Sequence, residues 1–211
     1  MGKVSENWIY IGIGIVVVFI IAIGVFAFSG SSETVEVSTE DLVKKDSHVL
    51  GNRDAKVTIV EFSDFKCPAC VSAHLVIKQI IAKYGDKILF VYRHFPIVTA
   101  DQHALKAAEA AEAADEQGKF WEYHDILYAN QENLEESDLK KYAKRLGLDM
   151  DKFEKALSSG KFKDKVTRDM DDGVKLGVRG TPTFFINGER YQGGLSLDQF
   201  KSKIDSKLAV E

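Results

Sequence analysis

The longest apolar stretch of the chain runs from Ile9 to Phe28 and carries no charged residue. At about 1.5 Å per helical residue it reaches roughly 30 Å, the hydrocarbon thickness of a bilayer. Trp8 and Tyr10 sit at its start, where amphipathic rings favour the membrane interface. A cleaved signal peptide is the competing reading. Its apolar core would be about 7–15 residues, shorter than this run, although Ala27-Phe28-Ser29 has the small-x-small form of a cleavage site. No cysteine directly follows the run, which argues against a lipid-modified anchor. The next segment, opening Ser29-Gly30-Ser31-Ser32, is polar and acidic and shows neither helical nor strand periodicity. The expected organisation is a short cytoplasmic leader over 1–8, a transmembrane anchor over 9–28, a flexible tether over 29–46 and a folded domain over 47–211. A single N-terminal span behind so short a leader leaves the large domain on the extracytoplasmic side of the cell membrane.

Within the domain the period changes repeatedly. Val57-Thr58-Ile59-Val60-Glu61-Phe62 is a β-branched, mostly apolar run that reads as a buried strand. From Pro68 to about Tyr84, Val71, Leu75, Ile77, Ile80 and Ile81 recur at helical spacing, and Gly85 ends the helix. Lys87 to Phe95 is a second buried strand, completing a βαβ unit. Helices follow. Thr99 to Gln102 has capping-box spacing ahead of an alanine-rich helix to about Glu116, and further helices cover Phe120–Asn130, Ser137–Leu146, a segment capped by Asp149, and Lys161–Leu176. Strands then return: Thr183–Ile186 and Glu189–Tyr191 flank Asn187-Gly188, the strongest short signal for a hairpin. Ser196 and Gln199 open a closing helix to about Leu208. The fold class is therefore α/β, of the order βαβ, helical insertion over about 99–176, then ββα.

Composition narrows the function. Of 211 residues, 28% are charged and the net charge is −4, so the basic stripe that a nucleic-acid binder needs is missing. The chain has only two cysteines, Cys67 and Cys70. A domain stapled by disulfides would carry more, spread along its length, and closing so short a loop removes little entropy from the unfolded chain.

Cys67-Pro68-Ala69-Cys70 lies just after a strand and at the opening of a helix. A helix start presents unpaired N–H groups and the positive end of the dipole, both of which favour a thiolate. Pro68 suits the first turn, where a missing N–H costs nothing. Cys67, nearest the end, is expected to be the exposed nucleophile and Cys70, one turn in, the resolving thiol. Two readings compete: half of a zinc site, for which His74 offers a third ligand from the same helix, and an inert buried pair. His48, His94, His103 and His124 read as scattered, without ligand spacing. Glu61, inside an apolar strand, is either a buried carboxyl with a raised pKa that relays a proton to Cys70, or a carboxylate at the strand's wet end with no role. Pro182, at the first position of a strand, belongs at an edge or a special turn.

The segments Glu61–Cys70, Tyr92-Arg93-His94-Phe95-Pro96, Gly118-Lys119-Phe120-Trp121 and Gly177–Gly188, in this order, make the chain resemble the DsbA-like branch of the thioredoxin superfamily in its membrane-tethered form. The resemblance covers about residues 47–208. It implies a thioredoxin-like fold with an inserted helical domain and protein thiol–disulfide oxidoreductase activity. It further implies an attacking Cys67, a resolving Cys70, a buried acid at Glu61, a cis-proline at Pro182 facing the disulfide, and Thr181 pairing by its backbone with a bound peptide. The strongly oxidising members carry histidine where this chain has Ala69, which leaves the helix end and Lys66 to support the thiolate and implies a milder oxidant. Expected partners are exported proteins with free thiols and a membrane-embedded, quinone-linked reoxidising protein. No cofactor beyond the Cys67–Cys70 disulfide, no metal, no nucleic acid and a monomeric state are expected. A reductase or isomerase acting through the same pair is the alternative, and a surface-anchored zinc-binding protein is the more distant one.

Overall fold

The computed structural model describes residues 37–209; the expected leader and anchor, 1–28, and the first part of the tether lie outside them. Strands β1 (His48–Gly51), β2 (Val57–Ser63), β3 (Ile88–His94), β4 (Thr183–Ile186) and β5 (Glu189–Gln192) form one sheet in the order β1-β3-β2-β4-β5. β2 runs parallel to β3 and antiparallel to β4, and β1 and β5 close the two edges in antiparallel pairing. Helix α1 (Thr39–Leu42) precedes the sheet, α2 (Pro68–Tyr84) joins β2 to β3, and α8 (Leu197–Leu208) follows β5. Between β3 and β4 the chain makes α3 (His103–Asp115), α4 (Phe120–Ala129), α5 (Glu136–Arg145), α6 (Met150–Ser159) and α7 (Lys163–Lys175). Among the described residues no helix is long and apolar enough to cross a membrane.

Strand alternation sorts the core into two sides. Val57 and Ile59 of β2, with Phe90 and Tyr92 of β3, pack against α2, α8 and the inserted helices. Val60, Phe62, Leu89, Val91 and Phe185 face the other way and pack with Leu42 and Val178. Glu61 and Ser63 share the first side, since they continue the series 57, 59. The hairpin turn adopts positive φ at both central residues, Asn187 (47°) and Gly188 (84°), as a tight primed turn requires. Asp149 caps α6 by accepting from the Lys152 amide, and Ser196 and Gln199 form the expected capping box on α8.

Three features differ from the sequence reading. Strand β1 is additional to it; its four residues are too few to show a period. The domain begins before Ser47: the Val37 amide donates to the Gly188 carbonyl at 3.0 Å, and Leu42 is 1% exposed in the second core. The part of the expected tether from 37 to 46 is thus packed structure, held by Leu42 and Val43 covering the sheet face that α2 leaves bare. Helix α3 starts at His103, and its capping acceptor is Asp101, whose Oδ1 takes the His103 amide at 2.7 Å, rather than Thr99.

A buried charge cluster fastens α7 to the sheet. Arg93 of β3 is 1% exposed. Its Nε and Nη2 donate to Asp169 Oδ1 at 2.9 and 2.7 Å, and Nη2 also donates to Asp172 Oδ2 at 2.8 Å. Gly173 on the same helix lets α7 approach closely, because a Cβ there would come within 2.8 Å of the Phe95 ring. Breaking a buried ion pair from one side strands the other charge, whereas replacing both partners by apolar groups does not. Arg93→Met is expected to cost about 3 kcal/mol in urea unfolding, because it leaves Asp169 and Asp172 without their guanidinium. Equal stability of the single variant and the wild type would contradict this account.

Candidate active site

The cysteine pair sits at the C-terminal end of β2, the end at which open α/β sheets present their sites. Cys67 is the N-cap residue of α2 and Pro68 is its first helical residue, so the proline occupies a position where no amide hydrogen is wanted. Both cysteines are free thiols, Cys67 partly exposed and Cys70 fully buried. The hydrogen bond from the Cys70 thiol is the largest influence on Cys67. With the Thr181 side chain and the amides of Cys70 and Ala69 it brings the Cys67 pKa down to about 5, against the opposing effect of burial. Burial and the nearby Cys67 push the Cys70 thiol far up. One proton is thus kept on the inner sulfur so that the outer one can ionise.

The loop before β4 closes the other side of the site. The Thr181-Pro182 peptide bond is cis, and the Thr181 carbonyl accepts from the Cys67 thiol at 3.3 Å. The Thr181 hydroxyl is buried and makes no hydrogen bond among the described residues, so it is free to turn toward the sulfur. Thr183 Oγ1 donates to the Gly180 carbonyl at 2.7 Å, and the Gly193 amide to the Pro182 carbonyl at 2.8 Å, which pins the loop on both sides.

Glu61 is buried, 2% exposed, so it is not at a wet strand end. Desolvation raises its pKa to about 7, moderated by the Ser63 hydroxyl, which donates to Glu61 Oε1 at 2.7 Å. Ser63 also bonds Tyr128 Oη at 2.8 Å and lowers the Cys70 thiol, so it touches both the acid and the inner cysteine. Ser63 and Tyr128 are site residues that the sequence reading misses. Ser63 carries a signal, lying two residues beyond Glu61 and hence on the same strand face; Tyr128, from the inserted helices, carries none. Lys66 departs from its expected role: its ammonium donates to the Gln131 carbonyl at 3.0 Å and pairs with Asp101 at 3.4 Å. It ties the cysteine loop to the inserted helices and leaves the thiolate to the Cys70 thiol, the Thr181 side chain and the backbone amides, with Ala69 contributing through its own N–H.

The histidines are not scattered. His48 and His94 meet at Glu112, and His74 and His124 meet at Asp125, while His103 bonds Asp101 at 2.8 Å. The Glu112 and Asp125 groups each join elements far apart in sequence, which is why ligand spacing along the chain does not reveal them. Among the described residues, neither group of possible metal ligands includes Cys67 or Cys70, so His74 serves a different neighbourhood from a half zinc site at the cysteines.

The same architecture recurs in known proteins. The family model described as thioredoxin matches residues 43–206. A thioredoxin-like oxidoreductase from Silicibacter pomeroyi is 27% identical, with a TM-score of 0.74 over 83% of this chain and 100% of its own. The alpha-DsbA1 of Wolbachia pipientis is 25% identical, with a TM-score of 0.69 over 78% of this chain and 92% of its own. A curated relative, the Na(+)/H(+) antiporter NhaA 3 of Salinispora tropica, is 41% identical over 162 residues. This chain spans only a quarter of that protein, 25%. With the family match running through nearly the whole domain and across the cysteine pair, the chain belongs to the thioredoxin family, on its DsbA-like branch.

Proposed function

We propose that this chain is a protein thiol–disulfide oxidoreductase acting as an oxidase, donating the Cys67–Cys70 disulfide to pairs of thiols in exported proteins. The observation that carries the reading is the divergence of the two sulfurs, with Cys67 drawn down to about 5 and Cys70 pushed up. A substrate thiolate attacks the Cys67 sulfur, the Cys67–Cys70 bond breaks, and Cys70 leaves with the electron pair. Glu61, poised near pH 7 and bridged through Ser63, supplies the proton that Cys70 then holds. A second substrate thiolate attacks the substrate sulfur of the mixed disulfide and releases Cys67 as a stable thiolate. Two electrons pass to the cysteine pair and the substrate gains its disulfide. Because the released Cys67 is a good leaving group and the reduced form is stabilised, the equilibrium favours oxidation of the client.

Thr181 and Pro182 would receive the client. A peptide adding alongside Thr181 by backbone bonding would bring its sulfur to Cys67. The apolar run 9–28 would hold the domain at the extracytoplasmic face of the cell membrane, near emerging clients and near a quinone-linked membrane protein that takes up the two electrons. The enzyme would work as a monomer, with no cofactor beyond its own disulfide.

Three outcomes are expected. In the reduced protein the thiolate ultraviolet absorbance should titrate near pH 5, and Cys70→Ala should move that midpoint upward by about a pH unit or more, since it deletes the main hydrogen bond to the sulfur. A midpoint near that of a free thiol, about 8.5, would remove the physical basis of the reading. In the second test, the oxidised full chain should speed disulfide formation in a reduced, denatured disulfide protein, and Cys67→Ser should abolish this; efficient reduction of insulin without oxidation would instead favour a reductase. Third, Glu61→Gln should slow client oxidation at pH 6 by about 100-fold. The deficit should shrink as pH rises through about 7, because ionised Glu61 has no proton to give; a pH-independent deficit would reject the relay.

A further inference from the structure

The geometry points to a divalent transition-metal site, of zinc type, made by His74 of α2 with His124 and Asp125 of α4, its free coordination position opening into the cleft between the two helices. One ligand atom from each of the three residues lies within 4.8 Å of the other two. Asp125 Oδ1 stands 3.5 Å from His74 Nε2 and 3.3 Å from His124 Nδ1. A tetrahedral zinc with bonds of about 2.0–2.1 Å to nitrogen and oxygen separates its ligand atoms by about 3.3–3.4 Å. The other histidine cluster provides an internal contrast. There His48 and His94 approach Glu112 Oε1 at 2.7 and 2.9 Å, the lengths of ordinary charge-assisted hydrogen bonds. His124 Nδ1 is within hydrogen-bond reach of Asp125 Oδ1 at 3.3 Å, but the 3.5 Å separation from His74 leaves this group more open than the Glu112 cluster and spaced for one ion.

The surroundings suit the same occupant. The second carboxylate oxygen, Oδ2, accepts from Lys78 Nζ at 2.7 Å. That bond fixes the carboxylate plane and turns Oδ1 toward the imidazoles, the orienting role that outer partners play at metal centres. The Lys78 side chain is 55% exposed, so water screens its charge. His74 is also stacked on Tyr128, with ring centroids 4.9 Å apart, and this holds its orientation. A cleft of about 230 Å³, lined by Ile77, Ile81 and Trp121 as well as the three ligands, adjoins the group. It gives access and room for a water or a client's donor atom in the fourth position. Two imidazoles and one carboxylate select zinc and its first-row neighbours over calcium and magnesium, which take oxygen ligands. The assignment stands apart from the redox reading, since neither cysteine belongs to the cluster.

The test uses the full chain, stripped by chelator and with the Cys67–Cys70 disulfide closed so that no thiolate can bind metal. Calorimetric titration with Zn²⁺ should give one equivalent, undiminished by equal Ca²⁺. Asp125→Asn, at a side chain 43% exposed and so tolerant of change, and His74→Gln should each weaken binding by about 10-fold or more. His48→Gln, in the other cluster, should leave it unaltered. Co²⁺ in place of zinc should give visible ligand-field bands of a low-coordinate nitrogen–oxygen site without sulfur charge transfer. No uptake by the oxidised wild type, affinity unchanged in both variants, or a sulfur band would overturn the assignment.

Discussion

The site depends on where a single proton resides. Two sulfurs lie one helical turn apart at the start of α2, and the structure makes them unequal: the outer one faces amide hydrogens and a thiol donor, the inner one faces the core. An ionised sulfur at the outer position requires a proton at the inner one. Helix, strand and cis-proline loop all serve that inequality. Pro68 starts the helix where the amides of Ala69 and Cys70 can point at Cys67, β2 buries Cys70 behind it, and the loop brings the Thr181 side chain, which lowers the Cys67 pKa, to the same sulfur.

The central strand carries the chemistry as well as the core. β2 is flanked by β3 and β4, so its odd-numbered residues all face α2. At 57 and 59 that face is apolar. At 61 and 63 the same face turns polar, and this is where α2 begins. Glu61 remains tolerable in the core because Ser63 donates to it and because its raised pKa lets it carry a proton near neutrality. A carboxyl with the usual carboxylate pKa would be charged and costly there; a raised one is both cheaper and useful for proton transfer.

The inserted helices do more than cover the sheet. They supply Tyr128 to the Ser63–Glu61 chain, accept Lys66 through Gln131, and bring His124 and Asp125 to His74 on the cysteine-bearing helix. Any movement of α4 against α2 would therefore reach the cysteine helix from its buried side. The Arg93–Asp169–Asp172 cluster anchors the far end of the insertion on the opposite sheet face, so the inserted segment grips the sheet from both sides.

Sequence by itself determined the order of elements from β2 to α8, because periodicity and turn chemistry are local. The βαβ unit, the hairpin at Asn187-Gly188, the Asp149 cap and the α8 capping box all lie where short-range rules put them, and the placement of Cys67 before Pro68 already implies a helix-start sulfur. Only the tertiary structure decided the pairings between distant elements. It recruited Tyr128 to Glu61, turned Lys66 away from the thiolate, packed 37–46 under the sheet through Leu42, and gathered histidines whose numbers suggest no relation into two clusters. The physical reason is the same in each case: hydrogen bonds, burial and ligand geometry act across a few ångströms of space, and one-dimensional spacing reports that distance only within a single helix or strand.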